Sequence, residues 1–90
     1  MALDVHEYRD GRMGQLLFQI NDKVYGALQP AFDKFRRRTG GFIDPYGDHI
    51  VDSGLSILIS EIAELKVKTD LLTVLEACRD EGRAIIFVGD

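Results

Sequence analysis

Apolar residues recur at steps of three and four from Met13 to Phe35. Met13, Leu17, Ile20, Val24, Leu28, Ala31 and Phe35 make the stripe, and Leu16 and Phe32 widen it. That period predicts one long helix over residues 13–39. Gly26 and Pro30 oppose it, because Pro30 cannot donate to the Gly26 carbonyl and its ring crowds that turn. The helix is therefore expected to kink there. A rival reading stays open: a strand at Leu16 to Ile20, a turn at Asn21-Asp22, then a strand and a helix starting at Pro30. The unbroken period favours the kinked helix.

Two shorter helices follow in the pattern. Leu55, Leu58, Ile59, Ile62 and Leu65 form the buried stripe of one over 53–66, capped by Asp52 or Ser53. Ser56, Ser60, Glu61 and Glu64 fall mostly outside that stripe. Leu71, Leu72, Leu75 and Cys78 mark the inner face of another over 70–82, capped by Thr69 or Asp70 and ended by Gly82. Ala84 to Val88 is a short β-branched run and reads as a buried strand. Leu3 and Val5 alternate with polar residues, as in a short strand over Leu3 to Tyr8 that could lie beside it. The fold expected is α+β but mainly helical: three principal helices in a small bundle with a short C-terminal strand. Its core would hold Leu17, Ile20, Phe32, Phe35, Leu58, Ile62, Leu72, Leu75 and Phe87.

Between the first two helices lies Phe35 to Asp48, the most specified stretch of the chain. Arg36, Arg37 and Arg38 place positive charge at the negative end of a helix dipole. Gly40 can take the left-handed conformation that closes the helix. Phe42 and Ile43 would then turn inward, and Asp44-Pro45-Tyr46-Gly47-Asp48 would form a tight polar bend.

Composition bounds the function. Ninety residues make a single domain over 1–90, and 46% hydrophobic content suits a folded core. One cysteine excludes an internal disulfide framework. The N-terminus has no basic-then-apolar signal pattern, and no apolar run is long enough to span a bilayer, so a cytoplasmic protein is expected. The net charge of −4 argues against nucleic acid and suits a basic protein partner. Mild acidity also serves solubility alone.

Candidate chemistry is thin. Asp44, Asp48, His49 and Asp52 have the right donors for a divalent ion, but their spacing matches no calcium loop, and no paired-cysteine or paired-histidine motif exists. Ser53, Ser56 and Ser60 carry no nucleophile elbow, and Cys78 sits on an apolar stripe. His49 and Asp48 pair only on paper, since neighbours in a turn seldom aim at one atom. No catalytic residue, metal ligand or cofactor is assigned.

The residues Phe32, Phe35, Arg38, Thr39 and Gly40, then Ile43 to Asp48, then the leucine-rich run from Leu55 to Leu65 and the ending Gly82 to Asp90, give the chain a further likeness. In this order of elements, over roughly Leu28 to Asp90, it resembles small bacterial immunity proteins of polymorphic toxin and contact-dependent inhibition systems. The resemblance implies a cytosolic antidote that binds a cognate toxin, with no chemistry of its own. The partner-binding candidates are Asp44, Tyr46 and Asp48 on the loop, with Glu61 and Glu64 on an acidic face of the later helices; the other reading of Tyr46 is that it folds back on Phe42 and holds the loop shut. The alternatives are a regulatory or adaptor module and a small enzyme or ligand-binding domain around Asp44, Asp48 and His49. The sequence leaves the partner's identity and the oligomeric state open.

Overall fold

Asp10 and Gly11 both have positive φ, 54° and 76°. That pair is the two-residue turn that matches the right-handed twist of a β-hairpin. It joins β1 (Leu3–Arg9) to β2 (Arg12–Ile20), and the rest of the chain builds on that hairpin. A computed structural model describes residues 3–67 and 69–89. After β2 come α1 (Asp22–Thr39), β3 (His49–Val51), α2 (Leu55–Glu64), α3 (Leu71–Asp80) and β4 (Ala84–Val88). The strands form one antiparallel sheet in the order β2-β1-β4-β3.

The mainly helical bundle is thereby overturned. The molecule is an α+β fold in which three helices cover a four-stranded antiparallel sheet. The error lies in residues 13–20, expected as helix and folded as strand. Two irregularities in β2 explain it. One extra residue, Leu17, intervenes between the pairs Val5–Phe18 and His6–Leu16. A second intervenes before the pair Tyr8–Met13. Each bulge shifts the phase of the two-residue alternation. Apolar residues are left at spacings of three and four that mimic a helix.

The helix begins instead at Asp22. Asn21 caps it, its Oδ1 accepting from Val24 N at 2.9 Å. The rival reading thus has a strand ending at Ile20 right, though the strand begins at Arg12 and Asn21-Asp22 is a helix cap and first helical residue rather than a turn. It also errs beyond them, because residues 22–30 are helical and Pro30 lies inside α1 rather than at its start. Gly26 and Pro30 are both exposed, which puts the undonated carbonyl on the solvent side. Gly40 closes α1 at φ 80°, as expected.

Later elements fall where the pattern put them, but the cap of α2 does not. Gly54, not Asp52 or Ser53, stands at the start of α2, with no side-chain hydrogen bond. Asp70 heads α3 without using its side chain, while Thr69 Oγ1 accepts from Leu71 N at 3.2 Å. Arg83 N donates to Cys78 O at 2.8 Å across left-handed Gly82, which ends α3.

The core lies between the helices and one face of the sheet. Leu3, Val5, Val51, Ile85 and Phe87 face it from the strands, with Leu28, Phe32, Phe35, Leu58, Ile62, Leu71 and Leu75 from the helices. Burying each such side chain contributes about 1.5–3 kcal/mol. Phe32 bridges the layers, lying edge-on to Phe87 at 6.0 Å and tilted against Tyr25 at 5.6 Å. Leu17 and Leu72, expected in the core, are only partly buried against it. Cys78 is buried. Burial pushes its thiol above the ordinary value, though the charge of Arg83 works the other way.

Among the described residues no helix lies on the opposite face of the sheet. One row across the four strands reads Leu16, His6, Ile86, Ile50. Its two ends are exposed, Leu16 at 42% and Ile50 at 45%.

Candidate functional site

The loop from Gly40 to Asp48 is built by its own hydrogen bonds. Asp44 Oδ1 accepts from Tyr46 N at 3.0 Å, and Gly47 N donates to Asp44 O at 3.2 Å. Aspartate forms this local turn because its short side chain reaches the backbone two residues on. Asp48 Oδ1 accepts from Gly89 N at 3.2 Å, and the same N–H reaches Gly47 O at 3.0 Å. The approach is close enough that a Cβ on Gly89 would lie 2.6 Å from Gly47 N and from Pro45 O. Tyr25 on α1 donates its hydroxyl to Ile43 O at 3.2 Å. Its pKa is raised by burial first, then by the charges of Asp44 and Asp33.

The two apolar residues opening the loop part company. Ile43 is buried, as expected, but Phe42 is 49% exposed rather than turned inward. The Arg36 guanidinium lies over the Phe42 ring, 4.2 Å from its centroid. Tyr46 is the most exposed large side chain of the loop, at 69%. A fixed backbone thus carries an unburied aromatic, with one oxygen of Asp44 and one of Asp48 committed to that backbone.

Beside the loop, a groove of about 450 Å³ opens between β3, the end of α1 and the start of α2. Phe35, Thr39, Gly41, His49, Asp52 and Ser53 are among its walls. The His49 ring stands edge-on to Phe35, 6.4 Å between centroids. Gly41 permits this, since a Cβ there would fall 2.6 Å from His49 Nε2 and 2.8 Å from Phe35 Cε2. Thr39 Oγ1 donates to Phe35 O at 2.8 Å and accepts from Gly41 N at 3.0 Å, closing the helix end over the groove.

The sequence candidates are only partly brought together. Asp48 and His49 separate: one side chain turns to Gly89, the other packs on Phe35. His49 opens β3 and Asp48 immediately precedes it, and neighbours in extended chain point to opposite sides, which divides such a pair. His49, Asp52 and Ser53 share the groove, but no hydrogen bond among the described residues links them. Among the described residues no three His, Cys, Asp or Glu side chains converge on a metal position.

Glu61 and Glu64 do not form an outer acidic face. Glu61 is buried, at 5% exposure, with Oε2 3.5 Å from Arg38 Nη1. Glu64 is exposed and faces Lys34 at 3.9 Å. Both pairs tie α2 to α1. The cause is that α2 packs against both α1 and α3, so a wider arc of it is covered than one stripe.

The groove is what the sequence reading missed. Its signals were present in Gly41 and Gly54, two glycines that leave Phe35 room at the end of its helix. No helix of the described residues is long and apolar enough to cross a membrane. Comparison with protein-family models, with curated proteins and with solved structures finds no match to this chain.

Proposed function

We propose that this chain is an immunity protein that neutralises a cognate bacterial toxin by direct contact, in the cytoplasm and without catalysis. The observation that carries the reading is Tyr46, 69% exposed on a loop whose backbone is held by Asp44, Asp48 and Gly89. A preordered loop loses little conformational freedom on binding. A tyrosine adds large contact area at small entropy cost. The net charge of −4 suits a basic toxin, and opposite charge speeds encounter. The resemblance of the chain to immunity proteins supports the same class.

The test is co-expression with the product of the gene immediately upstream. The expected result is that this chain restores growth and binds the toxin. Tyr46→Ala should then weaken binding by about 10- to 30-fold, the loss of a hot-spot residue, with an unchanged melting temperature. No protection by the parent chain ends the immunity reading. Full-strength binding by the stable variant moves the interface away from the loop.

A further inference from the structure

The free edge of β3 is open to strand addition. Gly89 N donates to Gly47 O, which sets the alternation along the β3–β4 ladder. Hydrogen-bonded pairs recur every second residue in an antiparallel ladder. His49–Phe87 and Val51–Ile85 are therefore the bonded pairs, and Ile50–Ile86 is not. The N–H and C=O of Ile50 consequently point away from β4, outward from the sheet. No described residue bonds to either. The edge has no bulge in its register and borders the 450 Å³ groove.

Charge selects the occupant. Asp48 and Asp52, both exposed, stand two residues either side of Ile50; Asp48 accepts from Gly89 N with Oδ1, which leaves its charge and its second oxygen for an incoming strand. If two copies paired antiparallel through β3, centred on Ile50, Asp48 of each would face Asp52 of the other. Like charges directly opposite are destabilising. A strand with basic residues at those places meets the opposite situation. We infer that β3 pairs with an extended segment of a partner protein carrying basic, any, apolar, any, basic residues, its apolar residue opposite Ile50. That residue extends the outward row Leu16, His6, Ile86, Ile50 by one strand. Main-chain bonds hold such a segment, and the two carboxylates set its sequence preference. The inference rests on the proposed function in one respect, that the occupant belongs to a protein partner.

The probe is a synthetic peptide, Thr-Lys-Thr-Val-Thr-Lys-Thr, blocked at both ends and added to ¹⁵N-labelled protein. The Ile50 and Asp52 amides should shift and saturate, and the Ile50 amide should exchange more slowly. A peptide with Glu for both Lys, and one N-methylated at Val, should each bind at least tenfold more weakly. Asp52→Lys should narrow the Lys-over-Glu preference at least tenfold, since no described residue bonds its side chain. Equal binding of the Glu or N-methyl peptide, or no shift at Ile50, overturns the inference. So does sedimentation as a dimer that Ile50→Pro disrupts, because a second copy would then own the edge. Peptide binding without protection against the toxin removes the function and leaves the edge; protection without peptide binding does the reverse.

Discussion

The two edges of the sheet are built in opposite ways. β2 is nine residues long, bulged twice, and exposed over most of its length. β3 is three residues long, regular in register, and backed by Phe35 and the glycines around it. A long flat edge invites unwanted pairing, and bulges that twist it away are a common protection. β2 has that protection. β3 has only its shortness and two flanking carboxylates, which repel a second copy more than they repel other strands. Length alone is therefore a poor guide to which edge is open. Regularity and charge decide it.

The sharpest way to break this contrast is Phe35→Ala. Phe35 is 2% exposed and supports the His49 ring from α1. Large-to-small changes of a buried phenylalanine cost about 3–5 kcal/mol. Urea unfolding should show that loss, and hydrogen exchange should show β3 opening before β1 and β2. A cost under about 1 kcal/mol would mean that β3 does not depend on this backing.

The same contrast explains what the sequence disclosed. Residues 55–64, 71–80 and 84–88 were legible because nothing disturbs their period. Residues 13–20 were not, because a bulge changes phase without changing composition. The correcting signal was local: Asp10-Gly11 is a hairpin dipeptide, and Asn21 is a helix cap. Both outrank the periodicity, one standing just before it and the other inside it. Tyr46 was only half legible: the sequence allowed an exposed anchor or a ring folded back on Phe42, and the fold leaves it exposed with Arg36 over Phe42. The groove was not, since its walls come from α1, β3 and α2 and only the fold brings them together. Glu61 shows the same limit from the other side. Its polarity placed it outside, while Arg38 let it be covered.

Glycine substitutions divide the two edges next. Gly89→Ala puts a Cβ 2.6 Å from two backbone atoms of the loop, and backbone does not yield as a side-chain tip does. Overpacking of this kind costs about 1–3 kcal/mol. The Asp48–Gly89 bond should lengthen or break, with shifts through 44–51 in an NMR spectrum. Gly11→Ala at the tip of the β1–β2 hairpin meets no atom within 4 Å but sits at φ 76°. Its cost is conformational, about 1 kcal/mol. Amide shifts should stay near residues 8–13 and leave β3 alone. Shifts at Ile50 in Gly11→Ala would show the two edges to be coupled.

The smallest effect concerns Tyr25, the hydrogen bond from α1 to the segment that leads into β3. Tyr25→Phe removes one partly buried hydrogen bond and should cost about 0.5–1.5 kcal/mol near neutral pH. The pH dependence identifies it further. Burial, then Asp44 and Asp33, favour the neutral phenol, so its folded pKa lies above the ordinary value of 10.0. A group that holds its proton more tightly when folded contributes full stability below its unfolded pKa. That contribution is lost as pH rises through the folded value. The parent's advantage over Tyr25→Phe should therefore be constant from pH 7 to about 9 and shrink above 10. Raising the ionic strength should soften the decline, since the carboxylates of Asp33 and Asp44 act partly through solvent. An advantage that stays level through pH 11 would show that the phenol proton does not differ between the folded and unfolded chains. The loop would then be held to α1 by burial of Ile43 in the core, with the hydroxyl contributing little.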